Sequence, residues 1–170
     1  GLGFTAAATG KASIIDWLHD DAWIREQSIG GGAGGGPGGG GAGAGISWLP
    51  DNKRFLFLSE KDGYMHVHSV DMSAATPVAK GLTSGKWEVT DARLSGDRRT
   101  IFLTTNEVHP GERHFYTMPA DGGARTRITT ATGSNDATVS PDEKALAVLY
   151  SYSNKPPELS VMPLAAGGKA

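Results

Sequence analysis

The stretch Trp48–Glu60, WLPDNKRFLFLSE, returns twice further along the chain in altered form, as RLSGDRRTIFLTTNE from Arg93 to Glu107 and TVSPDEKALAVLYSY from Thr138 to Tyr152. Each copy has an apolar residue, a tight turn carrying Asp51, Asp97 or Asp142, one or two basic residues, and then a strongly apolar run. The aspartates stand 46 and 45 residues apart. A second strand-like segment follows each copy: MHVHSVD from Met65, RHFYTMPAD from Arg113 and ELSVMPLAA from Glu158. The first two copies close with GLTSG and TRITTATG, placing Leu82-Thr83 and Ile128-Thr129 again 46 residues apart. A period of about 45 residues, all strands and polar turns, is that of a four-stranded β-propeller blade.

Strand character supports blades over a sandwich. FLFL, TIFL and ALAVLY are apolar at consecutive positions, which requires burial on both faces, as for a blade's central strands between two neighbouring blades. Helices are disfavoured because β-branched and aromatic residues dominate and turn signals recur every eight to twelve residues or so. The expected class is all-β, a partial β-propeller of about three four-stranded antiparallel blades. Residues 1–29 read as outer strands of a preceding blade, with a hairpin around Thr9-Gly10. Residues 46–85 and 88–133 read as blades, and 135–170 as an incomplete one. Closed propellers need ~4 to 8 blades, so the expectation is an open fragment.

Between the first two units lies GGGAGGGPGGGGAGAG, Gly30 to Gly45, with twelve glycines, three alanines and one proline. With almost no side chains to bury, it reads as a flexible loop. It is not a phosphate-cradling loop, since no Gly-Lys-Ser/Thr ending follows.

The chain has 170 residues, 38% of them apolar, enough for one domain with a core. Its 16 basic and 18 acidic residues nearly cancel, and the basic ones are scattered, which argues against nucleic acid as a partner. Cysteine is absent, which excludes disulfides and thiolate zinc sites. No apolar run approaches the ~20 residues of a membrane span.

Gly-x-Ser-x-Gly, His-Glu-x-x-His, a Walker loop and an aspartate-rich calcium loop are all missing, so no catalytic residue is nominated. His66 and His68 share one face of a strand, but a metal site needs further ligands there, and His109 and His114 lie one repeat on. The pair reads as a blade feature, with no metal and no cofactor expected. The turn aspartates read as carboxylates that accept nearby backbone N–H groups. Trp87 and Glu88 in TSGKWEVTD sit where one blade hands over to the next, and Trp87 reads as inter-blade packing. Asn106, Glu107 and Arg113 in TTNEVHPGERHFY are further blade-loop candidates, with a Glu107–Arg113 pair expected to pin the loop.

Taken in order, FLSEKDGYMHVHSVD, LTSGKWEVTD, TTNEVHPGERHFYTM and YSYSNKPPELSVM resemble the propeller domain of the dipeptidyl peptidase IV family, within the prolyl oligopeptidase group of serine peptidases. The resemblance spans roughly Trp23 to Met162 and implies C-terminal blades of that propeller, preceding an α/β-hydrolase domain. It implies a parent enzyme that removes dipeptides from peptide N-termini, with its catalytic serine, aspartate and histidine in the hydrolase domain. The implied partners are that domain and, through the parent, a peptide substrate; self-association through open blade edges is also expected. The implied location is periplasmic or exported. DDAWIREQS matches a pocket-wall segment of the family, which nominates Trp23, Arg25 and Glu26 as pocket-lining, although the family's aromatic is not present there. The competing class is a TolB-like periplasmic protein-binding propeller, whose repeats share the grammar of SPDEKALAVLYS. A free-standing metal-binding protein rests only on the histidines.

Overall fold

The computed structural model describes residues 2–5, 12–16 and 47–164. The Gly30–Gly45 tract, the Thr9-Gly10 turn and Trp23, Arg25 and Glu26 lie outside the described residues. Thirteen strands and no helix occur among those described: β1 Leu2–Thr5, β2 Ala12–Asp16, β3 Ser47–Trp48, β4 Arg54–Ser59, β5 His66–Asp71, β6 Lys80–Gly81, β7 Val89–Leu94, β8 Thr100–Thr105, β9 His114–Pro119, β10 Thr126–Arg127, β11 Ser134–Val139, β12 Ala145–Tyr152 and β13 Lys155–Pro163. They form a β1–β2 ribbon, two four-stranded sheets (β3 to β6 and β7 to β10) and a three-stranded sheet, β11 to β13. Every strand pairs antiparallel with its neighbour in sequence, so each sheet is a meander. The fold is a partial β-propeller, three successive blades that do not close into a ring.

The repeated turns start each blade in the same way. Asn52, Arg98 and Glu143 hold φ of 55°, 57° and 56° at equivalent positions. The same two backbone bonds recur around each: Leu49 N–H to Arg54 O with Asn52 N–H to Leu49 O, then Ser95 to Thr100 with Arg98 to Ser95, then Ser140 to Ala145 with Glu143 to Ser140. The aspartates accept the N–H two residues on, from Lys53 at 2.9 Å, Arg99 at 3.0 Å and Lys144 at 3.2 Å. The turn reading of these acids therefore holds.

Alternation along the strands then sends side chains into two different interfaces. Leu56, Leu58 and Val67 of the first blade join Ile101, Leu103, Tyr116 and Met118 of the second in one buried cluster. Phe102 and Phe115 point the other way and pack with Leu146, Val148 and Met162 of the third. On the first blade's opposite face, Phe55, Phe57 and Val70 are buried, with Ile15 of β2 packed against them. Each fully buried aliphatic or aromatic side chain contributes ~1.5–3 kcal/mol relative to exposure, so these interfaces hold the blades together. β12 departs from the sequence expectation of burial on both faces. Leu146 and Val148 are buried, while Leu149 is 44% exposed because no sheet covers that side among the described residues.

Candidate functional site

Between the first two blades, Gly85 to Glu88 carries the chain from β6 to β7. Gly85 has φ +134°, and a Cβ there would collide with the Trp87 indole, so glycine is what lets the ring fold back. Trp87 packs against the first core cluster and meets the His66 ring edge-on, with centroids 4.8 Å apart. His66 is fixed at both nitrogens. The Gly85 carbonyl only accepts, so Nε2–H donates to it at 3.0 Å and Nδ1 accepts from the Thr83 hydroxyl at 3.0 Å. Thr83 Oγ1 in turn accepts the Val67 N–H at 3.0 Å. His68 Nδ1 donates to the His66 carbonyl at 3.1 Å, and among the described residues no three metal-ligating side chains converge.

Arg125 covers the Trp87 ring, its guanidinium carbon 4.7 Å from the centroid, and forks onto the Glu107 carboxylate at 2.7 and 3.3 Å. Asn106 Oδ1 accepts the Glu88 N–H at 2.6 Å, and Asn106 N–H donates back to the Glu88 carbonyl at 3.2 Å. Trp87, Glu88, Asn106 and Glu107 are thus brought together. Arg113 is not among them, which corrects the expected Glu107–Arg113 pair. Its guanidinium donates to the carbonyls of Pro110 and Glu112 at 2.9 and 2.8 Å, while its backbone pairs across to the third blade. Arg125 was missed by sequence reasoning because it lies 18 residues from Glu107 and 38 from Trp87. Only the β9–β10 register, which sets Arg127 opposite Tyr116, brings Arg127 and the Arg125 just before the strand to this junction.

Beside the pair opens a cleft of about 460 Å³ lined by Glu107, Val108, Tyr116, Gly123, Ala124, Arg125 and Arg127. The Tyr116 phenol is pushed up by burial first and by the Glu107 charge second, so it remains a hydrogen-bond donor at neutral pH.

The second junction repeats the scheme with different groups. His114, buried like His66 at the start of its strand, places Nδ1 3.1 Å from the Thr129 carbonyl and Nε2 2.8 Å from Glu112 Oε2. Thr129 Oγ1 accepts the Phe115 N–H at 2.8 Å, the counterpart of Thr83 and Val67. Asn135 Nδ2 lies within 2.9–3.2 Å of the carbonyls of Arg113, Ala131 and Gly133.

At the turn end, ionic groups tie blades together. Arg54 meets Asp51 and Asp121 at 2.6 Å each. Backbone bonds from Arg54 and Lys53, then the Arg54 side chain, hold the Asp51 carboxyl down at about 2. Ser95 and the Arg99 amide lower Asp97, and Ser140 and the Lys144 amide lower Asp142. Asp91 on β7 goes the opposite way, raised by burial. These groups suit packing and recognition.

The family described as "Dipeptidyl peptidase IV (DPP IV) N-terminal region" matches residues 40–157. A probable dipeptidyl-aminopeptidase B of Emericella nidulans is 32% identical over 94 residues, covering 54% of this chain and 10% of that protein. The crystal structure of Porphyromonas gingivalis dipeptidyl peptidase 4 superposes with a TM-score of 0.56 at 28% identity, over 69% of this chain and 16% of that one. The chain therefore spans only a small part of the length of these relatives.

Proposed function

The chain belongs to the dipeptidyl peptidase IV N-terminal region family, and from that premise we propose that it is the non-catalytic propeller part of a serine exopeptidase. In this reading it shapes substrate access and docks an α/β-hydrolase domain that carries the chemistry. Residues 46–85, 88–133 and 135–170 act as blade units, with 1–29 as outer strands of a preceding one. Trp23, Arg25 and Glu26 belong to the pocket wall, and the Trp87–Glu107 junction and Arg113 hold the blade loops. The family match does not favour the TolB-like alternative.

The observation that carries the propeller reading is the open face of the third blade. Leu58 with Val67, and Thr104 with Phe115, are cross-strand pairs buried beneath the next blade. The equivalent pair, Leu149 with Leu159, is 44% and 72% exposed, beside Val161 at 70%. A surface built to the same register supports a further blade stacked on it in the parent protein.

The test uses a dipeptidyl p-nitroanilide. The isolated chain leaves it uncleaved, since it holds no nucleophile elbow. The full-length parent cleaves it, and Leu159→Lys with Val161→Lys in the parent lowers turnover. Cleavage by a rigorously purified isolated chain would falsify the non-catalytic reading, and unchanged turnover in the double variant would remove the further blade from that face.

A further inference from the structure

The cleft beside Glu107 holds one cation more than its own structure uses. Arg125 is committed to Glu107 and to the Trp87 ring. Arg127 lies two residues on, opposite Tyr116 in the β9–β10 ladder, and both arginines line the cleft with Tyr116. Arg127 is exposed, and beyond its backbone pairing with Tyr116 its guanidinium makes no hydrogen bond or ion pair with any described residue. The cleft walls at Gly123 and Ala124 are low, and Val108 beside them is 47% exposed, so the space is open to a peptide and has an apolar side.

We propose that this cleft binds a carboxylate-bearing peptide segment, with the Arg127 guanidinium taking an aspartate or glutamate side chain against the Tyr116 hydroxyl and Val108 flanking its stem. Charge selects the ligand class. Two arginines against Glu107 leave a net single positive charge, which matches a monovalent carboxylate, whereas the dianion of phosphate would meet Glu107 with half its charge uncompensated. Planarity agrees, because a free guanidinium fork accepts a carboxylate through two parallel bonds. Arg125, neutralised and stacked, acts as the fixed wall that keeps Glu107 from folding across onto Arg127. The site lies at the outer edge of the second blade, and it stands whether or not the parent is a peptidase.

The experiment titrates the full 170-residue chain with acetyl-Gly-Glu-Gly-amide, acetyl-Gly-Gln-Gly-amide and inorganic phosphate, following the backbone amides of Gly123 and Arg127 by NMR. The glutamate peptide is expected to saturate with shifts confined to the cleft, while the glutamine peptide and phosphate bind at least about tenfold more weakly. Arg127→Gln, at an exposed position that leaves the spectrum otherwise folded, should weaken the glutamate peptide by about tenfold, and Arg127→Lys by less. Equal binding of the two peptides, tighter binding of phosphate, no saturation, or an Arg127→Gln chain that binds as well as the original would each overturn the proposal.

Discussion

Asn52, Arg98 and Glu143 occupy the left-handed region at one place in three turns, a conformation costing roughly 1–2 kcal/mol for a residue with a Cβ. Something offsets that cost at each turn: the bend returns the following N–H groups to the aspartate, and two of the three strained residues also reach the preceding blade. Arg98 donates to the Trp48 carbonyl at 3.2 Å, and Glu143 accepts the Gly96 N–H at 2.6 Å. The aspartates make these turns pH-sensitive. Carboxyls lowered by bonds formed only in the folded chain add stability that is complete above the ordinary value of 3.8 and is lost as pH falls, for Asp51 toward about 2. Asp91, raised by burial, contributes the opposite trend, favouring the folded chain while it is protonated and losing that advantage as pH rises through its folded value. Urea midpoints at pH 5 and pH 2.5 should show a marked fall in the parent chain. The fall should be much smaller in Asp51→Asn/Asp97→Asn/Asp142→Asn, which starts from a lower midpoint. An equal fall in both would move the acid sensitivity to other carboxylates.

Strands β4 and β8, the repeated turns and the 46-residue spacing were legible in the sequence because each depends on local rules: alternation, turn chemistry and apolar runs. The junctions between blades were not. Nothing near Glu107 in the chain announces Arg125, and no local rule pairs His66 with Thr83 or His114 with Thr129, although both histidine–threonine couples recur in the two four-stranded sheets. The faint available signal was a histidine opening the third strand of each of the first two blades and an aliphatic-threonine pair closing their outer strands. Asn135 was passed over for the same reason, as a polar residue inside a plausible strand. It is 2% exposed and its amide serves carbonyls from Arg113, Ala131 and Gly133, so it fastens the loop after β10 to the second and third blades together. Asn135→Ala removes the buried amide's bonds, and because the Arg113 and Gly133 carbonyls keep the backbone N–H groups of Asn135 and Arg113, it should cost about 1–2 kcal/mol, read from chemical denaturation. Asn135→Asp should be at least as damaging, since a carboxylate cannot donate to those oxygens. A loss under about 0.5 kcal/mol for the alanine variant would mean that water replaces the amide without strain.

At the scale of the molecule, the repeat gives each blade two apolar faces, and whether a face is satisfied depends on having a neighbour. Face-to-face stacking in one direction explains why ALAVLY reads as doubly buried in sequence yet presents Leu149 to solvent, with Leu159 and Val161 beside it on β13. Nothing in the strand's own residues records that difference, because burial of the outer face is a property of the assembly. An apolar sheet face of this kind, next to the open edge of a nine-residue strand, attracts other chains. Sedimentation velocity on the isolated chain should therefore show mass rising with concentration. Leu159→Lys with Val161→Lys should return it toward a monomer with its melting temperature nearly unchanged, since both residues are already solvated and contribute little to the fold's own core. If the parent chain sediments as a concentration-independent monomer, the exposed face is not adhesive. If the lysine variant melts well below it, Leu159 and Val161 are instead packed within the chain.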